Sequence, residues 1–185
     1  GVNIPNMVYP SLHPTVFSGD SNHSNTFDAG DLSQIISVDF TGSLEKEKEL
    51  CIQGIEFTRA YCTNTASNAQ LGALYLKDCG NAVVKNCRFY QNKSLGYGGT
   101  AFRAEYSTSH LLECDFTENE AGSRGGAIRL SSNNKTKGYC TFERCLIARN
   151  SVKEGTGSAV CVQHAQRTAI VNSTIYGNTA AKGGA

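Results

Sequence analysis

The feature that most constrains this chain is an internal repeat. Four segments align: Val84–Asn92, Leu111–Asn119, Phe142–Asn150 and Ile170–Asn178. Their closing asparagines, Asn92, Asn119, Asn150 and Asn178, recur at intervals of 27, 31 and 28 residues. A fifth copy, Ile52–Ala60, precedes them and departs only in its last position. A fixed period of this size marks a solenoid, propeller or array, because one such unit cannot bury its apolar face without a neighbour.

Each copy is followed by a small-then-apolar segment: Leu71–Leu76, Gly99–Ala104, Gly125–Leu130 and Gly157–Val162. Gly183, Gly184 and Ala185 open another such segment and stop. Natural arrays finish in a polar cap, so the chain is expected to be an excerpt of a longer protein.

Alternation in this second segment places Leu74/Leu76, Phe102/Ala104, Ile128/Leu130 and Val160/Val162 on one face, with Tyr75, Arg103, Arg129 and Cys161 on the other. That period belongs to short strands. In the first segment Cys87 and Phe89 share a face while apolar Val84 is out of phase, so the strand must bend at Asn86 and at its counterparts Gly54, Glu113, Arg144 and Asn172. Asn and Gly tolerate a left-handed backbone; Glu113 and Arg144 have no such preference.

No copy offers a two-residue Asn-Gly or Gly-Asp turn between matched strands, so hairpins are excluded. The segments are also too short and too β-branched for a helical solenoid. Stacking remains, each strand pairing in parallel with its copy in the next turn at about 4.8 Å. The expected fold is therefore all-β, a right-handed parallel β-helix of about 27–31 residues per turn with three short strands per turn. Residues 1–50 are expected to form irregular N-terminal turns or a cap, with strands near Thr15–Asp20 and Ile35–Phe40, and residues 51–185 the regular turns. The inward rows are Phe57/Phe89/Phe116/Ile147/Ile175 and Ile55/Cys87/Cys114/Cys145/Ser173, with the asparagine row satisfying backbone groups at a buried corner. Longer connections at Tyr61–Gln70 and Ser131–Gly138 are expected to project from the barrel.

Composition narrows the function. With 17 Lys+Arg against 16 Asp+Glu, the chain lacks the cationic surplus of a nucleic-acid partner. No apolar run approaches the length of a membrane-spanning helix. Eight cysteines occur without a Cys-x-x-Cys or a zinc-spaced Cys/His quartet. Cys87, Cys114 and Cys145 read as small inward hydrophobes. The four histidines stand in unrelated contexts, without a nucleophile elbow, zinc-protease or phosphate-loop motif.

Two surfaces invite chemistry. The outward row of the second segment stacks Tyr75, Lys77, Arg103, Glu105, Arg129, Ser131, Cys161 and Gln163, an aromatic and cationic strip suited to an acidic polysaccharide. A solvated strand face would carry the same residue types. An enzyme reading makes Arg103 or Arg129 the base of a polysaccharide lyase, which also needs a metal held by several carboxylates where only Glu105 is at hand. A glycosidase needs two facing carboxylates. The second surface is the loop holding Asp20, Asn22, Asn25, Asp28 and Asp31, whose hard oxygens suit Ca²⁺ in composition but lack the ordered spacing of an EF-hand. No other cofactor is expected.

The pairing of Phe-x-x-Asn with Gly-Gly-Ala-Ile, seen in Phe89–Asn92, Phe116–Asn119 and Gly125–Ile128, resembles the repeat of the polymorphic outer-membrane protein family. Thr15–Asp20 is similar to the opening segment of pectate-lyase-like β-helix proteins of Gram-negative surfaces. The resemblance covers residues 50–185 well and 15–50 loosely. It implies a secreted or outer-membrane surface protein, within a class that holds adhesins, passenger domains and polysaccharide-degrading enzymes. Because fold alone does not choose among these, the expectation is a non-catalytic scaffold for adhesion, glycan binding or assembly with other envelope proteins. The alternative is a lyase or glycoside hydrolase acting on acidic polysaccharide, with its site on the outward strand face or on turns outside this segment.

Overall fold

A computed structural model of the chain describes residues 15–45, 47–66, 72–133, 138–164 and 167–183. Half of the projection expected at Ser131–Gly138 falls on residues 134–137, and part of that at Tyr61–Gln70 on residues 67–70. These, with residues 1–14 and the closing Gly184 and Ala185, lie outside the described residues.

The described strands form four parallel sheets that the chain visits in a fixed cycle. Sheet A stacks Thr15–Ser18, Ile55–Thr58, Arg88–Tyr90, Asp115–Thr117, Leu146–Ala148 and Thr174–Tyr176. Sheet B stacks Ile36–Asp39, Leu74–Lys77, Phe102–Glu105, Ile128–Ser131 and Val160–Gln163. Sheet C stacks Glu49–Gln53, Asn81–Lys85, Thr108–Leu112, Tyr139–Glu143 and Arg167–Val171. Sheet D stacks two-residue strands, Tyr61–Cys62, Lys93–Ser94, Glu120–Ala121, Ser151–Val152 and Thr179–Ala180. One turn runs through B, C, A and D. Sheet D adds a fourth strand to the three expected per turn; two residues are too few for alternation to be read. Thr15–Ser18 and Ile36–Asp39 are the lowest rungs of sheets A and B, in register with Ile55–Thr58 and Leu74–Lys77.

Single left-handed residues turn the corners. Between sheets C and A they are Gly54, Asn86, Glu113, Arg144 and Asn172, with φ from 48° to 72°, so Glu113 and Arg144 adopt the same bend as the asparagines. The stack enforces it: the corner N–H of Asn86 donates to Leu112, that of Glu113 to Glu143 and that of Arg144 to Val171, at 2.9–3.1 Å. A left-handed non-glycine residue costs about 1–2 kcal/mol, which this bond and the rungs around it offset. The corner between A and D repeats the device with Arg59, Gln91, Glu118, Arg149 and Gly177. Where sheet B is entered, glycine holds the left-handed corner, at Gly72, Gly99, Gly125, Gly157 and Gly183; a Cβ on Gly72 would sit 2.7 Å from the Gly99 carbonyl oxygen.

Inside, rows form as the repeat requires. Phe57 and Phe89 stack at 4.8 Å and 5°, and Phe89 and Phe116 at 4.7 Å and 4°. The rung spacing imposes this parallel geometry, although isolated rings prefer offset or edge contacts. Cys87, Cys114 and Cys145 are buried free thiols in one row. Cys114 Sγ donates to the Val84 carbonyl of the preceding turn at 3.4 Å, as Cys145 Sγ does to Leu111. Ser173 holds the position in the last turn and donates to Val171 at 2.9 Å. The asparagine row closes the buried corner. Asn92 Nδ2 donates to the Phe57 carbonyl at 3.1 Å and to Asn119 Oδ1 at 2.9 Å, and Asn119 and Asn150 repeat the pattern. Buried amides placed this way pair the carbonyls of Phe57, Phe89, Phe116 and Ile147, each of which would cost about 1–3 kcal/mol if buried unpaired. Ile175 continues the Phe57 row at the last described rung and is 45% exposed.

Candidate functional site

Sheet B fixes the outward row by register alone. Ser37, Tyr75, Arg103, Arg129 and Cys161 align in one line, and Asp39, Lys77, Glu105, Ser131 and Gln163 in the next. The stacking expected from the sequence is therefore present, but its lower half is not an open surface. Tyr75 is fully buried and Arg103 is 4% exposed. The Arg103 guanidinium lies over the Tyr75 ring at 5.9 Å, its Nε donates to Glu105 Oε1 at 2.9 Å, and the Tyr75 hydroxyl donates to Glu105 Oε2 at 2.8 Å. Burial, and then the Glu105 carboxylate, push the Tyr75 phenol well above its ordinary range. Tyr75 is thus a protonated donor in a closed triad, so it offers no stacking face to a sugar. Lys77 donates to Asp39 at 3.1 Å, and that bond raises its pKa.

The upper half is open. Arg129 lines a groove of about 290 Å³ together with Tyr106, Ser131, Ser132, Asn133, Gln163 and His164. Its Nε and Nη2 donate to Gln163 Oε1 at 3.3 and 2.8 Å, and its guanidinium lies over the Tyr97 ring at 5.5 Å. The remaining nitrogen, Nη1, is buried without a hydrogen-bond partner. Burial, and then repulsion from Arg103, lower the Arg129 pKa. A desolvated guanidinium with a spare donor gains most from a carboxylate, because the charge-assisted bond repays the lost hydration. Glu105 accepts from Arg103 and Tyr75 and acts on Arg129 only through its field, since Nη1 has no hydrogen-bond partner.

Tyr97, Tyr106 and His164 complete this place, and sequence reasoning missed them. Tyr106 and His164 occupy the left-handed corner just past sheet B, with φ of 53° and 60°. Each directly follows the outward Glu105 or Gln163, which is the one signal that could have found them.

The acidic loop is built differently from a cation cage. Asp20 caps the Ser24 and Asn25 amides at 3.0 Å each. Asp28 accepts from Asn22 at 2.9 Å, Ser24 at 3.0 Å and the Gly30 amide at 2.8 Å, and Asp31 accepts from the Asp28 amide at 3.1 Å. These carboxylates fold their own loop as Asx turns do. Among the described residues, no group of three or more His, Cys, Asp or Glu side chains converges as a metal site.

All eight cysteines are free thiols; Cys51 is exposed, and Cys161 is half-buried in the outward row. No helix of the described residues is long and apolar enough to cross a membrane.

Four parallel sheets joined by single-residue corners, with an internal asparagine row, define a β-solenoid. The pattern of the right-handed β-helix region matches residues 23–184, most of the chain, so this protein belongs to the right-handed β-helix family. No curated protein and no solved structure matches it.

Proposed function

We propose that this β-helix is a rigid, non-catalytic scaffold, presented outside the bacterial cytoplasm or on the outer-membrane surface, that binds an acidic polysaccharide along the upper outward face of sheet B. The observation that carries the reading is Arg129, a half-buried guanidinium whose Nη1 lacks a partner at the edge of a polar groove. Gln163 holds the Nε and Nη2 side of the fork, and a uronate carboxylate entering the groove would supply the acceptor that Nη1 lacks. Ser131 and His164 line the same groove, where neighbouring hydroxyls would lie. The test is calorimetric titration with oligogalacturonate. Wild type should bind, and Arg129→Gln should weaken binding at least tenfold while leaving the thermal midpoint within a few degrees. Equal binding by both proteins would remove the assignment.

One observation favours a second reading. The lowered pKa of Arg129 is the direction a lyase base requires. Glu105, the carboxylate in the outward rows beside Arg129, already binds Arg103 and Tyr75, and among the described residues no group of three or more His, Cys, Asp or Glu side chains gathers to hold a neutralising metal. Growth of absorbance from unsaturated product during incubation with polyuronates would establish the lyase and displace the scaffold.

A further inference from the structure

The loop after Thr15–Ser18 folds back over the corner between sheets A and D. Phe27 anchors it, with its ring 5.4 Å from Tyr61 and with Arg59 and Lys93 at 5.6 and 5.4 Å from its centroid. Beside Phe27 lies a polar groove of about 340 Å³, within the range of small-ligand sites. Its side chains come from two rows. Arg59, Gln91 and Glu118 are consecutive left-handed corners, and Lys93 and Glu120 are consecutive rungs of sheet D. Asn25 completes it from the loop.

The hydrogen-bonding capacity of these groups is only partly used. Arg59 Nε is buried and meets Asp20 only at 3.4 Å, outside hydrogen-bond geometry. Gln91 donates to Glu118 Oε2 at 3.2 Å, which leaves the Gln91 carbonyl oxygen open. Glu120 lies 3.1 Å from Lys93 and 3.0 Å from Lys153. Burial alone would raise its pKa, but the two lysines outweigh burial and hold it below the ordinary range, so it is an ionised acceptor. Glu118 also lies 3.5 Å from Arg149 Nε, so the groove sets the cations Arg59 and Lys93 beside the carboxylates Glu118 and Glu120.

We infer that this groove is a second saccharide site, separate from sheet B, which takes a single hexuronate with its carboxylate on Arg59 and its ring hydroxyls on Glu118, Glu120 and Gln91. The ligand class rests on the acidic-polysaccharide reading above; the place does not. A neutral sugar would leave Arg59 without a charge partner beyond Asp20. A phosphate dianion would meet Arg59 and Lys93 but carries acceptors only, so it offers no donor to Glu118 or Glu120. A monoanion rich in hydroxyls satisfies both kinds of group.

The test is an amide-resolved NMR titration of the intact chain with monomeric galacturonate, with galactose as the neutral control. Galacturonate should shift the amides of Asn25, Phe27 and Lys93, and galactose should require at least tenfold higher concentration for the same shift. Arg59→Gln should weaken the response at least tenfold. Glu118→Gln, on an exposed corner where folding is not at stake, should weaken it at least threefold. Arg129→Gln should leave it unchanged. Silence of these amides, an equal response to galactose, or indifference to Glu118→Gln would overturn the site. Loss of oligogalacturonate binding at Arg129 with these shifts intact would instead count against the sheet B reading alone.

Discussion

Asn119 Nδ2 donates to Asn150 Oδ1 at 2.9 Å across one turn of the solenoid, while Asn119 Oδ1 accepts from the backbone N–H of Asn92 at 3.1 Å. Each side chain in this row therefore serves the turns on both sides of its own, and the row is fully buried from Asn92 to Asn150.

Removing one amide should be expensive. Asn119→Ala strands the Phe89 carbonyl and the Asn92 amide, each worth about 1–3 kcal/mol when buried and unpaired. A loss of about 3 kcal/mol or more is expected by urea denaturation. A loss below about 1 kcal/mol would mean that water reaches the corner.

The corner at Arg144 should prefer asparagine, which stands at the same bend as Asn86 and Asn172. Asn visits the left-handed region more readily than Arg, and the Arg144 pair with Glu113 at 3.0 Å is half exposed and worth little. Arg144→Asn should leave stability unchanged or raise it by about 0.5 kcal/mol, whereas Arg144→Ile should lower it by about 2 kcal/mol, since a β-branched residue resists positive φ. Thermal midpoints of the two variants decide this; the reverse order would contradict the enforced bend.

Thiol reactivity should follow burial. Burial pushes Cys140 up to about 12 and Cys79 up to about 11, and it raises Cys114 as well. Because the thiolate is the nucleophile, iodoacetamide at neutral pH should modify exposed Cys51 first and leave Cys79, Cys114 and Cys140 intact until denaturant is added. Peptide mapping after brief labelling reads the order.

Acid should loosen the Asp28 loop before the barrel. Hydrogen bonds from Asn22, the Gly30 amide and Ser24 hold the Asp28 carboxyl below the ordinary range. A carboxyl depressed in the folded state contributes stability above its unfolded value of about 4, and that contribution is lost as pH falls through the lower native value. The Gly30 amide and the Asn22 side-chain amide should titrate with Asp28 below about pH 4 while sheet A remains unchanged. Titration at or above that value would contradict the network.

The rows were legible because stacking repeats one chemical demand at one position. Phe57, Phe89 and Phe116 meet face to face, and the bend positions Glu113 and Arg144 could be named even where their residue type argued against bending. Their cause was hidden, since the demand comes from backbone bonds to the next turn rather than from the side chain at the corner. The outward row of sheet B was legible in register and not in exposure: alternation places Tyr75 on the outer face but is blind to Arg103 and Glu105 closing over it. The groove beside Phe27 was hidden for a related reason. It joins one loop to corners from three turns, and no local spacing connects Asn25 to Glu118.

Both proposed sites depend on equivalent residues lying one rung apart. The direct measurement is a set of long-range nuclear Overhauser effects from the Phe116 ring in the uniformly labelled chain. Contacts to both Phe89 and Ile147, 27 and 31 residues away, are expected. Contacts confined to residues within a dozen positions of Phe116, as hairpins produce, would contradict the stack and both sites with it.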